Sequence, residues 1–176
     1  IALDVQTSDG PAWDLGLTDD DVESLYVVAA SVTRSLARRR VAFGLMAAGY
    51  TGAETRIAQV PVASAPGQAE RILDLLARLS SHASMPFERL LNGASRSVRP
   101  GSTVLVLTAR DPRPFAAALR RLERHGAHVV VVTRFPVDAA ARYTQEPDFE
   151  AFRDRLQVHG LDLRHAPSVE LFARWL

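Results

Sequence analysis

Short continuous apolar runs alternate along the chain with stretches in which apolar residues recur every three or four positions. These are the patterns of buried strands and of helices with one buried face. Ile1 to Val5 predicts a first strand that stops at the polar Gln6-Thr7-Ser8-Asp9-Gly10. Thr18 predicts a helix cap, with Asp19, Asp20 and Asp21 in the first turn, where acidic groups meet the positive end of the helix dipole. Val22, Leu25, Ala29, Val32 and Leu36 form the apolar stripe of that helix, and Arg38-Arg39-Arg40 closes it with the charge a helix C-terminus favours.

Val41 to Ala47 predicts a second strand and Thr55 to Val62 a third, with Pro61 assigning the third to an edge of the sheet. The connection Ala48 to Glu54, with Gly49 and Gly52, is too short for a crossover, so this pair is expected to be antiparallel. Helices follow over Gln68 to Leu79 and Pro86 to Leu91, then a strongly apolar strand from Thr103 to Leu107. Asp111 predicts the cap of a helix with Pro112 at its first position, Phe115, Leu119 and Leu122 inward, and Gly126 just past its end. Val129 to Val132 predicts a buried strand, Asp148 to Val158 a helix, Leu161 to Arg164 a weak strand, and Ser168 onward a last helix. Alternating strands and helices, with continuous rather than alternating apolar runs, imply an α/β fold. The expected form is three-layer and doubly wound, with a mostly parallel sheet and one antiparallel edge strand.

The 176 residues fit one domain and bury enough surface for a self-sufficient core. A net charge of +1 gives no global field for nucleic acid, although every one of the 21 basic residues is arginine. There is no cysteine, which removes disulfides, thiolate chemistry and cysteine-held zinc. No run of 18 apolar residues occurs. Ile1 stands directly in an apolar run, so residues 1–176 are expected to be a single domain taken from a longer protein.

The loop after the first strand has one glycine and no lysine, matching neither the phosphate-binding loop nor the dinucleotide fingerprint. Gly93-Ala94-Ser95-Arg96-Ser97 lacks the second glycine of a nucleophile elbow and precedes a strand instead of following one. None of the five histidines pairs with another at helical ligand spacing. The informative place is the carboxyl edge of the sheet, where open α/β folds put their sites at the reversal of strand order. If the first strand lies beside Thr103–Leu107, Asp4, Gln6, Thr7, Ser8 and Asp9 meet Thr108, Arg110 and Asp111 there. Carboxylate and hydroxyl oxygens together suit a hard cation such as magnesium. The plainer alternative makes Asp111 a helix cap and has Thr7 and Ser8 satisfy loop amides.

Asp4-Val5-Gln6-Thr7-Ser8 at the end of the first strand resembles the start of a von Willebrand factor A domain. Val27 to Gly49, Gly101 to Thr133 and the intervening Gly67 to Ser80 and Pro86 to Leu91 resemble the C-terminal domain of the bacterial domain-of-unknown-function family fifty-eight. The resemblance covers the chain to about Thr133. It implies a divergent A-like fold with a degenerate metal-ion-dependent adhesion site of Asp4, Ser8, Thr108 and Asp111. Gln6 stands where the pattern has its middle serine, Ala109 follows Thr108 directly, and no second-loop threonine is assignable. The expectation is therefore a weakly bound magnesium ion or no cofactor. Members of that family are accessory proteins associated with MoxR-type AAA+ ATPases, with membrane segments ahead of this domain. The implied role is non-catalytic protein binding in assembly or maturation of other proteins, and no catalytic residue carries over.

Gln6, Asp9, Trp13 and Arg110 are the expected partner-binding rim. At the opposite edge Arg38, Arg39 and Arg40 compensate a helix dipole on the plain reading. On the sharper one they face an anionic bilayer, which places the domain at the cytoplasmic face of a bacterial membrane. Two other functions stay open: a metal-dependent enzyme using Asp4 or Asp111, and a purely structural domain.

Overall fold

A computed structural model describes residues 1–6, 19–51, 57–80, 82–110, 112–133 and 162–165. Six strands form one sheet in the order β3-β2-β1-β4-β5-β6. They are β1 (Ala2–Leu3), β2 (Phe43–Ala47), β3 (Ala58–Ala63), β4 (Thr103–Thr108), β5 (His128–Thr133) and β6 (Asp162–His165). All neighbours run parallel except β2 and β3, which are antiparallel. Pro61 lies in β3, at the edge, where its missing amide costs the ladder nothing.

The helices are α1 (Asp19–Arg38), α2 (Gln68–Arg78), α3 (Phe87–Ala94) and α4 (Ala116–Arg124). Helices α1 and α2 pack on one face of the sheet through Leu25, Ala29, Val32, Ile72 and Leu76, against Leu3, Leu45 and Leu107. Helices α3 and α4 cover the other face through Phe87, Leu91, Leu119 and Leu122, against Ala2, Val106 and Val131. The architecture is thus three-layer α/β. The inner strands β1, β2 and β4 are apolar on both sides because both sides are buried. Among the described residues no helix is long and apolar enough to cross a membrane.

β1 is shorter than the expected Ile1–Val5 and α3 runs three residues past the expected Leu91, and two further differences have a local cause. The helix expected from Pro112 begins at Ala116, after a one-turn 3-10 helix over Arg113–Phe115. Pro112 and Pro114 lack amide hydrogens, and the turn closes through Phe115 N donating to Pro112 O at 3.3 Å. The second strand starts at Phe43, because Val41 instead finishes α1: its amide donates to Leu36 O at 3.2 Å beyond Arg40, which sits at φ 56°. That left-handed residue stops the helix in a place usually taken by glycine. The expected cap Thr18, the helix Asp148–Val158 and the helix from Ser168 lie outside the described residues.

Candidate functional site at the crossover between β1 and β4

Strands β1 and β4 are neighbours, and the helices that follow them go to opposite faces of the sheet. This is the reversal point of a doubly wound sheet, where the carboxyl ends of two strands leave a crevice. The register pairs Leu3 with Leu107, which brings the next residues, Asp4 and Thr108, together at the crevice floor. Asp4 N continues the ladder by donating to Leu107 O at 2.9 Å.

Asp4 is 2% exposed, a burial that a carboxylate tolerates only with partners. Its Oδ1 accepts the Gln6 amide at 3.0 Å, a local turn that bends the chain away from β1. Its Oδ2 accepts the Thr108 hydroxyl at 2.8 Å and the Arg110 Nε at 2.9 Å. Thr108 Oγ1 in turn accepts the Arg110 amide at 3.1 Å, so one hydroxyl fixes both the carboxylate and the backbone that delivers the arginine. The Arg110 guanidinium lies 5.7 Å from the centre of the Phe115 ring. Phe115 itself meets Phe87 edge to face at 5.3 Å. Arg110 is thereby held between a carboxylate and an aromatic face, which suits its planar, weakly hydrated head.

Burial pushes the Asp4 carboxyl above its ordinary range, while the Arg110 charge and the hydrogen bonds from Arg110, Thr108 and Gln6 pull it back. The two opposing effects mark a pair whose members depend on each other for charge.

The structure brings together Asp4, Gln6, Thr108 and Arg110. Ser8, Asp9, Trp13 and Asp111 lie outside the described residues. Arg110, assigned to the partner-binding rim by sequence, is 2% exposed and turns inward onto Asp4. An unpaired carboxylate in that position would be far costlier than an arginine drawn in from the rim. Phe115, which sequence reasoning placed only in a helix stripe, is the platform beneath Arg110. The legible signal was Arg110 itself, a charge directly after the apolar run Val104 to Ala109. Arg38, Arg39 and Arg40 are exposed at the opposite edge, where the parallel strands begin.

Asp4 and Thr108 do not make a good seat for a divalent cation. Magnesium sits about 2.1 Å from its oxygens and collects several of them. At Asp4 Oδ2 it would stand against the guanidinium, like charge on like. Among the described residues no group of three or more His, Asp or Glu side chains is placed to hold a metal. Compared with models of known protein families and with curated proteins, the chain matches none.

Proposed function

We propose that this chain is a non-catalytic protein-binding module of the von Willebrand factor A-like kind, with an internal arginine on the carboxylate that a metal ion would otherwise use. The Asp4–Arg110 pair carries the reading. It lies at the crevice between β1 and β4, where this fold class gathers its contact loops. Both Asp4 oxygens are engaged and the guanidinium supplies the compensating charge, so the pair braces the two loops as a metal would. The strand order and the antiparallel edge strand fit the same resemblance. A metal-dependent enzyme built on Asp4 has less support, because its oxygens are committed to protein donors.

The partner that the resemblance implies is a MoxR-type AAA+ ATPase. Turning the exposed Arg38, Arg39 and Arg40 toward the cytoplasmic face of a bacterial membrane would point the carboxyl ends of β1 and β4 away from the bilayer, toward that partner. The test immobilises the 176-residue chain and measures capture of the purified, nucleotide-free ATPase in magnesium and in chelator. Equal capture in both buffers, weakened by Asp9→Ala and Trp13→Ala, is the expected result. Capture that needs magnesium would overturn the arginine-for-metal reading, and no capture in either buffer would overturn the choice of partner.

A further inference from the structure

A cavity of about 650 Å³ opens on the α3–α4 face of the molecule, away from the Asp4 crevice. Arg89, Asn92 and Arg96 line it from α3 and the turn after it, and Arg121 from α4. The spacing 89, 92, 93, 96 follows one face of a helix. Arg89, Arg96 and Arg121 are exposed, and among the described residues no carboxylate pairs with any of them. The Asn92 Oδ1 accepts Arg121 Nη1 at 3.3 Å, which steers one guanidinium toward the cavity. Ile57, 42% exposed, and Met85 supply an apolar wall.

Gly93 is a second, independent observation. It lies inside α3 and lines the cavity, yet it has no positive φ, and a Cβ built on it meets nothing within 4 Å. Glycine in the middle of a helix costs about 0.5–1 kcal/mol relative to alanine, and less at the penultimate position that Gly93 holds in α3. Neither backbone conformation nor packing requires it here. What it does is lower the cavity floor.

We infer that this cavity is a second contact site, which receives an acidic segment of a partner protein, carboxylates on the arginines and an apolar side chain against Ile57 and Met85. The exposure of all three arginine heads decides against a small metabolite, whose sites bury and preset their polar groups. A nucleic-acid strand is disfavoured because no aromatic side chain lines the cavity among the described residues, so none is there to stack a base. The inference borrows from the protein-binding proposal only the kind of partner. Its position is independent of the Asp4 crevice, and its test does not use the ATPase.

The experiment is fluorescence anisotropy with a labelled ten-residue glutamate peptide carrying one central leucine. The proteins are the 176-residue chain, Arg89→Glu/Arg121→Glu, Gly93→Trp and, as a charge-matched control elsewhere, Arg38→Glu/Arg39→Glu. Circular dichroism verifies that each is folded. The expected result is binding that weakens with salt, about tenfold weaker in the pocket reversal, with little change in the control. Gly93→Trp fills the cavity without altering charge and is expected to weaken binding as well. Equal weakening by the two reversals would show unspecific charge attraction and overturn the site. So would undiminished binding to Gly93→Trp, or no binding to the unaltered chain. Displacement of the peptide by millimolar inorganic phosphate, or by an oligonucleotide of equal charge, would overturn the assignment to an acidic protein segment.

Discussion

Asp4 and Arg110 are each tolerable in the interior only because the other is there. Removing one partner of a buried pair typically costs about 3–5 kcal/mol, because the survivor keeps its charge without compensation. Arg110→Met keeps an unbranched apolar stem but removes the guanidinium that sits over Phe115, and it leaves the Asp4 carboxylate with only Thr108 and Gln6 as donors. Burial already lifts that carboxyl, and loss of the arginine removes the main opposing influence, so its affinity for a proton rises further. The unfolded chain takes that proton near the ordinary value of 3.8, and the folded variant takes it at higher pH. Between those two values the folded state holds the extra proton, so stability falls as pH rises through the folded value and is regained on acidification. Arg110→Met should therefore be strongly destabilised at neutral pH, with the gap to the unaltered protein closing toward acid. Urea unfolding across a pH series measures this, and a gap independent of pH would contradict it. Asp4→Leu/Arg110→Met, with no buried charge left, should recover most of the loss at neutral pH.

At the scale of elements, the edge strand β3 is held by few and specific contacts. Gln68, at the start of α2, donates from Nε2 to Phe43 O and to Pro61 O, each at 2.7 Å, and so ties both strands of the hairpin to one helix. Between them the register shifts at Phe43/Leu45, and Gly44 lies so close to β3 that an added Cβ would stand 2.6 Å from Val60 O and 2.8 Å from Val62 N. Gly44→Ala must push the edge strand outward, at a cost of about 1–3 kcal/mol by analogy with overpacked cores. Hydrogen exchange should show faster amides in β3 with β4 and β5 unchanged; uniform acceleration would mean a global rather than a local loss. The hairpin and its edge were legible because Pro61 and the short glycine-containing connection each act locally. Strands β4 and β5 were legible because central parallel strands are apolar throughout. The delayed start of α4 was not, since two prolines with one residue between them, Pro112 and Pro114, suit a helix start and a 3-10 turn alike. The direction of Arg110 was also beyond reach, because it depends on Asp4, a hundred residues away in sequence and adjacent only through the β1–β4 register.

Among the described residues of the whole molecule, a group of arginines gathers at the amino edge of the sheet. Helices α1 and α4 run from the carboxyl edge of the parallel strands to their amino edge, so Arg38 and Arg124 arrive there together with Arg39, Arg40 and Arg99, all exposed. Helix-dipole compensation accounts for part of this. It does not account for the residue at Arg40, where a left-handed φ of 56° would suit glycine better, nor for the exposure of the next residue, Val41, at 47%, and of Val62 in the edge strand β3, at 73%. Val62 and Arg99 share a cleft of about 500 Å³ at the same edge. Basic groups with exposed apolar side chains between them are the elements of peripheral binding to an anionic bilayer, in which each arginine adds about 1 kcal/mol near the headgroups and loses it to salt screening. The protein should sediment with phosphatidylglycerol vesicles at low salt and be released as salt rises. Arg38→Glu/Arg39→Glu/Arg40→Glu should abolish sedimentation, whereas Arg89→Glu/Arg121→Glu, which alters the α3–α4 cavity, should leave it largely intact. If both reversals reduce it alike, the membrane senses only net charge, and the amino edge loses its claim to be the surface that faces the bilayer.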